Sequence, residues 1–291
     1  MDETYERTLL DIAKENWVYA HCLFQCLVVA LRPLRVEELA EFLAFEFENG
    51  EIPVFQADCR PEDPRDAVLS TCSSLIAIVD DHGSAIVQFS HFSVKEYLTS
   101  MWIAGGRVPR YHIPLEPAHF LVTQACLSIL LQLDDQIAEE RMKDFALAEY
   151  AARNWVEHAK SGNALSQTED MVKQLFDPSN PYIAPWISIY SGYSKRSKYS
   201  RATPIYYAAL FNLCGVVEWL VNTHSQNINA SDGYYGTPLH AASATGSLAV
   251  VQFLICHADG NHVSDHRTLS TSHLRKGRSR SQEYWLTRVQ I

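Results

Sequence analysis

The sequence lacks the short motifs that most nucleotide-binding, hydrolytic and metal-dependent enzymes carry. It contains no G-x-x-x-x-G-K-[ST] or G-x-G-x-x-G phosphate loop, no G-x-S-x-G nucleophile elbow and no H-E-x-x-H zinc motif. It also lacks a long hydrophobic run, because polar residues interrupt its most apolar stretch, 120–133, which is too short to span a bilayer. We therefore expect a protein without catalytic residues, without a cofactor and without a membrane partner.

Cysteine is too sparse for a disulfide scaffold. The seven cysteines are scattered over 291 residues, without the paired spacing of a zinc site. Cys22 and Cys26 lie four residues apart beside His21, so a metal half-site is one interpretation; small apolar side chains within a helix are the other, which we favour. The acidic N-terminus has none of the features of a signal peptide. These observations predict a reducing, cytoplasmic setting and no metal.

Negative charge exceeds positive charge, and the two are unevenly distributed. The formal net charge is −10, whereas residues 263–291 carry six basic and two acidic side chains. The rest of the chain is therefore strongly acidic, and an acidic surface repels phosphate backbones. We expect no nucleic-acid partner. We also expect the basic tail, residues 264–291, to be disordered, because its few apolar residues follow no period.

Two segments 34 residues apart repeat one pattern, which opens with a Thr-Pro pair and ends in an apolar helix. The residues that define its two boxes are Thr203, Pro204, Thr237, Pro238 and His240. A period in the low thirties that opens with a T-P-L-H-x-A box resembles an ankyrin repeat. The resemblance implies about two ankyrin repeats over residues 202–263, a structural hydrogen-bonding role for His240, and a function in binding proteins rather than in catalysis.

The segment between the two boxes, residues 229–236, is the predicted contact with a protein partner. Its candidate residues are Asn229, Asp232, Tyr234 and Tyr235. Tyrosine suits this role because it buries a large rigid ring and keeps a hydroxyl for hydrogen bonding. Tyr206 and Tyr207 either serve the same surface or pack inside the stack.

The turns and the end of the repeats depart from the usual pattern. Asn212 stands where glycine normally ends the first helix, and asparagine tolerates the left-handed backbone that such a turn needs. A stack that stops after two repeats is also expected to leave an apolar face exposed at its C-terminal end, unless the tail or a partner covers it. The residues predicted on that face are Phe253, Leu254 and Ile255.

The region before the repeats is predicted to be mainly α-helical with one β-hairpin. Apolar residues at helical spacing indicate helices over 15–31, 36–45 and 64–74. Residues 75–79 and 85–89 read as two strands that flank an Asp-His-Gly turn. Three helices followed by a hairpin are the element order of a winged-helix module, which we assign to residues 15–105.

A winged helix that reads DNA inserts its third helix into the major groove. Here that helix, 64–74, has Arg65 as its one basic residue, and the pattern places Val68, Leu69 and Cys72 in the core. A DNA-binding regulator is therefore the alternative to a protein-binding function, not the preferred interpretation.

Residues 106–190 are predicted to form a helical linker block. Apolar periodicity indicates helices over 116–133, 144–159 and 169–176. A polar, basic linker over 191–201 leads to the repeats. The predicted fold class is mainly α: a short helix within 1–14, the winged-helix module with its small hairpin, the helical block and a short ankyrin stack.

One string gives a more specific resemblance. Residues 87–98, which read V-Q-F-S-H-F-S-V-K-E-Y-L, resemble the end of the winged-helix domain that follows the NACHT nucleotide-binding module in fungal STAND proteins. The same domain type occurs in GPI inositol-deacylase-like proteins. Residues 2–9 resemble the stretch that closes the NACHT module, so the helix within 1–14 is a remnant of that end, and residues 32–40 resemble a helix entry of the winged helix. Residues 125–130 and 150–159 resemble the helical linker between the winged helix and the repeats. The resemblance implies a non-catalytic regulatory protein that corresponds to the part of a STAND receptor after its nucleotide-binding module.

His91 occupies the position at which a histidine of the related NTPases reaches the phosphates of bound ADP. Because this sequence has no phosphate loop, such a role requires a nucleotide-binding module in a longer or neighbouring polypeptide. The alternative is structural: His91 fixes the corner between strand and helix, ahead of a capping box formed by Ser93 and Glu96. A deacylase-like hydrolase fragment is the least favoured function, because the sequence has no nucleophile elbow.

Overall fold

The computed structural model describes residues 2–46, 53–133, 144–192, 202–231 and 233–258. Most of the predicted linker and the whole predicted basic tail lie outside the described residues. Helices dominate the described part of the chain, and its two small sheets are antiparallel. The predicted mainly α fold class is confirmed.

The first part of the chain combines helices with short strands. Its helices are α1 (Asp2–Leu10), α2 (Trp17–Val29), α3 (Val36–Ala40), α4 (Pro64–Cys72), α5 (Phe92–Thr99) and α6 (Met101–Ala104). Its strands are β1 (Leu34–Arg35), β2 (Phe45–Glu46), β3 (Val54–Phe55), β4 (Ile76–Asp81) and β5 (Ser84–Phe89). Short 3₁₀ turns occur at Lys14–Asn16, Glu41–Ala44, Ala57–Cys59, Ser73–Leu75 and Pro109–Tyr111.

Strand β5 is the centre of a three-stranded antiparallel sheet in the order β1-β5-β4. Val87 of β5 pairs with Leu34 on one side and with Ile78 on the other. The β4–β5 hairpin turns through His82 and Gly83, whose φ angles of 51° and 85° suit a two-residue turn between twisted strands. The predicted hairpin is confirmed, and helices α2, α3 and α4 pack against this sheet.

Only one face of helix α4 is buried in the core. Val68 and Cys72, four residues apart, are fully buried, whereas the Leu69 side chain is 36% exposed. The prediction that all three lie in the core is therefore wrong for Leu69, because the next residue of a helix points about 100° away from its neighbour. The exposed side of α4 also carries Arg65 and Asp66, whose charges offset each other.

The corner between β5 and α5 is capped by His91, not by Ser93. The Nδ1 atom of His91 accepts a hydrogen bond from the backbone N–H of Ser93 at 3.2 Å. The Oγ of Ser93 lies 2.6 Å from the same nitrogen and 2.7 Å from Oη of Tyr5, which connects the corner to α1. The predicted capping box at Ser93 and Glu96 is wrong, because the imidazole already satisfies the free N–H at this helix start.

The second part of the chain packs helices on helices. The helical block contains α7 (Leu115–Leu130), α8 (Ala148–Ala159), α9 (Ala164–Gln167), α10 (Glu169–Phe176) and α11 (Ile183–Tyr190). The repeats contain α12 (Pro204–Leu210), α13 (Cys214–His224), α14 (Pro238–Thr245) and α15 (Leu248–Ala258). The sequence analysis missed α11, whose Pro185 lies in the first turn, where a missing N–H breaks no helical hydrogen bond.

Buried polar contacts join the helical block to the preceding module. The backbone N–H of Leu31 donates to Oη of Tyr150 at 3.2 Å, and the N–H of Leu147 donates to the Glu41 carboxylate. Burial raises the pKa of the Glu41 carboxyl, although this N–H and Arg60 both act to lower it. Buried apolar residues of the module and of the block belong to one continuous core.

Trp186 joins the helical block to the repeats. Its side chain is fully buried, and its ring centroid lies 5.6 Å from Trp155 and 5.3 Å from Phe176, both within the block. It also lies 5.5 Å from Phe211 and 6.3 Å from Tyr207, in the first Thr-Pro repeat. The indole N–H donates to a backbone carbonyl of α8 at 3.0 Å. The aromatic cluster around Trp186 therefore covers the start of the first Thr-Pro repeat.

A buried chain of hydrogen bonds runs through the helical block. The Nδ1 atoms of His119 and His158 are 2.9 Å apart, and Nε2 of His158 lies 2.8 Å from Oη of Tyr150. His158 is fully buried. Burial, with a smaller contribution from His119, lowers the pKa of His158 to about 3. His158 is therefore neutral in the folded protein at neutral pH.

We predict that His158 makes the fold sensitive to acid. The pKa of His158 is near 6.5 in the unfolded chain and about 3 in the folded protein. His158 therefore leaves the stability of the fold unchanged above about pH 7 and destabilises it increasingly as the pH falls from 6.5 towards 3. The unfolding free energy should drop by about 2 kcal/mol from pH 7 to pH 5 through this residue. Urea unfolding at both pH values measures this drop.

The matched variants are His158→Gln and His82→Asn. Glutamine keeps hydrogen-bonding groups but does not titrate. The unfolding free energy of H158Q should therefore fall much less between pH 7 and pH 5 than that of the unmodified protein, whatever the stability of H158Q at pH 7. His82 is 99% exposed, and asparagine tolerates its left-handed backbone, so H82N should retain the full drop. An H158Q variant with the same drop as the unmodified protein would contradict the prediction.

Candidate protein-binding surface

The repeats form two rows of helices. Helix α12 packs against α14, and α13 packs against α15, so equivalent helices of the two repeats lie side by side. Helix α10 of the preceding block packs against α13 and extends the second row. Asn212 and Gly246, 34 residues apart, lie in the turns between the paired helices, and their backbone φ angles are 59° and 72°. The left-handed backbone predicted for Asn212 is confirmed.

The second Thr-Pro box is stabilised by local hydrogen bonds. Thr237 caps α14, and its Oγ1 accepts a hydrogen bond from the backbone N–H of His240 at 3.4 Å. The Nδ1 atom of His240 lies 3.1 Å from the same hydroxyl oxygen. Pro238 occupies the first turn of the helix, where its missing N–H is tolerated. This arrangement agrees with the structural role predicted for His240.

The first Thr-Pro box differs, because Tyr206 replaces the histidine. Pro204 again starts the helix, but Thr203 makes no side-chain capping bond, and its Oγ1 is buried without a hydrogen-bond partner among the described residues. Tyr206 and Tyr207 are both buried, which decides the open alternative in favour of packing inside the stack. The hydroxyl of Tyr206 points instead to the segment that follows α13.

That segment, residues 229–236, is the finger of the repeats. Gly233 and Gly236 form an antiparallel bridge through reciprocal backbone hydrogen bonds of 3.3 Å and 3.0 Å. Tyr234 and Tyr235 form the turn between them and remain 43% and 38% exposed. Their rings meet edge to face, with centroids 5.0 Å apart. Asn229, at the start of the finger, is exposed.

Tyr206 holds the finger from beneath. Its Oη accepts a hydrogen bond from the backbone N–H of Tyr235 at 3.2 Å. Its ring lies so close to Gly233 that a Cβ there would stand 2.0 Å from Cε2. Burial raises the pKa of Tyr206, so the hydroxyl stays protonated at neutral pH. This role of Tyr206 was not predicted from the sequence. The tyrosine at the position that His240 occupies in the second box could have indicated it.

The finger continues into one face of α14. A Cβ at Gly236 would lie 3.3 Å from Nδ1 of His240, so the base of the finger touches the start of the helix. His240, Ser243 and Ala244 are all exposed and follow the spacing of one helix face. These three residues together with Tyr234 and Tyr235 are called the finger surface below. Asp232, also predicted to contact a partner, lies outside the described residues.

The end of the stack is partly different from its prediction. Leu254 is buried within the apolar core, so its predicted exposure is wrong. Phe253 is half-buried, and its ring stacks on His257 with centroids 3.9 Å apart. Ile255 is 38% exposed, and Leu248, which the sequence analysis did not single out, is 74% exposed.

His91 lies at a second exposed site, far along the chain from the repeats. Its ring is exposed and stacks on Phe92, with centroids 4.4 Å apart. Phe92, Met101 and Trp102 are 71%, 78% and 81% exposed, which is unusual for apolar side chains of this size. The sequence analysis missed Met101 and Trp102, because apolar residues within a short helix normally indicate core.

The cysteine-rich end of α2 is packed and apolar. Cys22 and Cys26 are both buried, and burial raises the pKa of the Cys26 thiol well above its usual value. His21 Nε2 lies 3.3 Å from the carbonyl oxygen of His112. Within the described ranges, no group of three or more His, Cys, Asp or Glu side chains is placed to hold a metal ion. None of the described helices is long and apolar enough to cross a membrane.

Comparison with known proteins identifies the class of the C-terminal part. The ankyrin-repeat family, in three copies, matches residues 164–265. These residues are therefore ankyrin repeats, and the match begins inside the region predicted as a helical linker block. It includes α10, in agreement with the packing of that helix against α13.

The chain is also similar to a fungal protein. It is 32% identical over 281 residues to the "Azaphilone pigments biosynthesis cluster protein L" of Monascus ruber. The alignment covers 88% of this chain but 58% of that protein, so the chain spans little more than half of the relative's length. No solved structure matches the chain.

We predict that the finger depends on Gly233 and Tyr206. Gly233→Ala would place a methyl group inside the Tyr206 ring, so the backbone must shift and the unfolding free energy should fall by about 1–3 kcal/mol. Tyr206→Phe removes the hydroxyl that accepts the hydrogen bond from Tyr235 and should cost about 1 kcal/mol. Urea unfolding measures both changes.

Gly215→Ala is the matched control. Gly215 lies in α13 with nothing within 4 Å of its Cβ position, so alanine should be neutral or should stabilise the helix by up to about 1 kcal/mol. A G233A variant as stable as G215A would show that Tyr206 does not hold the finger in the described position.

Proposed function

We propose that this chain is a non-catalytic protein-binding and regulatory protein whose ankyrin repeats bind a protein partner through the finger surface. The observation that carries the proposal is the exposed pair Tyr234–Tyr235, held on a backbone bridge and fixed from beneath by Tyr206. A pair of aromatic rings that is already ordered loses little conformational entropy when it binds. Such rings supply most of the binding energy at many protein interfaces.

The absence of catalytic motifs from the sequence supports the non-enzymatic part of the proposal. The similar Monascus ruber protein is described as a biosynthesis cluster protein, and its name states no reaction. We therefore propose that the present chain contributes binding rather than chemistry, in the cytoplasm. The acidic body of the chain and the offset charges of α4 favour a protein partner over a nucleic acid.

The binding test compares two variants in the full chain. The double variant Tyr234→Ala/Tyr235→Ala should reduce the amount of captured partner by at least about tenfold, because both rings leave the interface. Tyr19→Ala removes an equally exposed tyrosine, 48% exposed on α2, and should leave capture unchanged. Affinity purification with quantitative mass spectrometry measures the retained partners, and a thermal melt checks the fold of each variant.

A partner retained equally by the double variant and by the unmodified chain would contradict the assignment of the finger surface. A partner that is also lost from Tyr19→Ala would mean that the loss of binding is not specific to the tyrosines of the finger. Melting temperatures that agree between the variants remove misfolding as the cause.

We further propose that residues 15–105 are a winged-helix module of the STAND type and that another module covers its exposed site. The order of three helices before a hairpin, with β1 beside β5, supports the winged-helix assignment. The exposed apolar side chains of Phe92, beside His91, and of Met101 and Trp102 on the following helix favour burial against a further polypeptide. A nucleotide-binding module in a longer or neighbouring polypeptide would suit this position.

An ADP titration tests this second proposal. The nitrogen of His91 that faces its own helix start is already bonded to Ser93, and the sequence supplies no phosphate loop. The chain by itself should therefore give no saturable heat with ADP at millimolar concentration in a calorimeter. Micromolar ADP binding that disappears in His91→Ala would show that the site binds nucleotide without another module, and would contradict the proposal.

A further inference from the structure

The ankyrin repeats carry almost no charge. Although 20% of the chain is charged, residues 202–258 contain no Lys or Arg, and their acidic residues are Glu218 and Asp232. Glu218 is exposed on α13 and lies 3.4 Å from the Sγ of Cys214 on the same helix. It therefore belongs to the second row of helices, not to α14 or to the described part of the finger.

The described finger surface contains no Asp, Glu, Lys or Arg. Tyr234 and Tyr235 offer ring faces and hydroxyls, and Ala244 offers a methyl group. The hydroxyl of Ser243 donates to the carbonyl oxygen of Leu239 at 2.7 Å, so its hydrogen is already used within the helix. The imidazole of His240 is close to Thr237. The described part of this surface therefore provides no carboxylate, ammonium or guanidinium group as a counter-ion.

A charged partner residue would lose water at such a surface and find no opposite charge. The cost of removing an ion from water is several kcal/mol unless an opposite charge or several hydrogen bonds replace the water. Apolar and neutral hydrogen-bonding groups lose much less, and aromatic rings pack well against them. The chemistry of the surface thus selects against charge at the centre of the contact.

We infer that the finger surface recognises an uncharged segment of its partner, through apolar packing and neutral hydrogen bonds rather than through ion pairs. This inference rests on the proposed function and adds the chemical class of the bound segment. Binding that uses no ion pairs depends little on ionic strength, because salt screens only the interaction between charges. Asp232 is the one charged residue within the finger, and it provides the sharpest test.

The experiment selects ligands without prior assumptions about the partner. A phage library of random linear peptides is panned on the immobilised full chain, and enriched peptides are synthesised and measured by fluorescence anisotropy. Peptides whose binding requires Tyr234 and Tyr235 should lack Asp, Glu, Lys and Arg at the positions where alanine substitution weakens binding most. Their affinity should change by less than about twofold between about 50 and 500 mM NaCl.

Three variants of the chain separate neutral from charged recognition. Asp232→Asn should leave affinity for these peptides within about twofold. Ala244→Lys and Ala244→Glu add opposite charges to the same exposed face of α14, and both should weaken binding, because each introduces an ion without a partner. A surface that reads charge would instead respond in opposite directions to the two substitutions.

The outcomes distinguish this inference from the proposed function. Tyrosine-dependent peptides with charged anchor residues, or a loss of about tenfold in Asp232→Asn or in high salt, would overturn the inference and leave the finger as the binding site. The absence of any tyrosine-dependent peptide would contradict the proposed surface, and the inference with it.

Discussion

The burial of Trp186 between the helical block and the first Thr-Pro repeat is the contact on which the repeat stack depends. One ankyrin repeat cannot bury its own apolar faces, and two Thr-Pro repeats alone leave both ends of the stack open. The Trp186 ring contacts Trp155 and Phe176 of the block as well as Tyr207 and Phe211 of the first Thr-Pro repeat. The block therefore supplies the neighbour that the first repeat needs. The hydrogen bonds of Tyr150 and Glu41 in turn connect the block to the N-terminal module.

The residue that supports the finger lies on α12, the helix that also packs against Trp186. Tyr206 lies in the same helix as Tyr207, so the residue that supports the finger is held by the contacts around Trp186. The tyrosine at this position gives up the threonine bond that His240 makes in the next repeat and gains a hydrogen bond to Tyr235. The first box thus exchanges a local helix cap for support of an exposed loop. That exchange is the physical reason to regard the finger, rather than another turn of the repeats, as the binding site.

The sequence predicted the features that depend on local pattern. The Thr-Pro boxes, the β4–β5 hairpin and the left-handed Asn212 follow from spacing and turn chemistry, and the structure agrees. Helix α10 was placed outside the stack because it has no Thr-Pro box, and its packing on α13 is a tertiary contact that no local pattern reveals. The same limit explains why Tyr206 remained an open alternative, why Leu254 was assigned to the surface, and why Met101 and Trp102 were missed. Each depends on which neighbour is present in the folded chain.

The central claim is that a protein partner contacts the tip of the finger, and site-specific photo-crosslinking tests it most directly. A photoreactive phenylalanine analogue replaces Tyr235 in one form of the chain and Val79, which is 39% exposed on β4, in another. We expect a covalent adduct with one partner from position 235 and none from position 79. An adduct from position 79 without one from position 235 would contradict it.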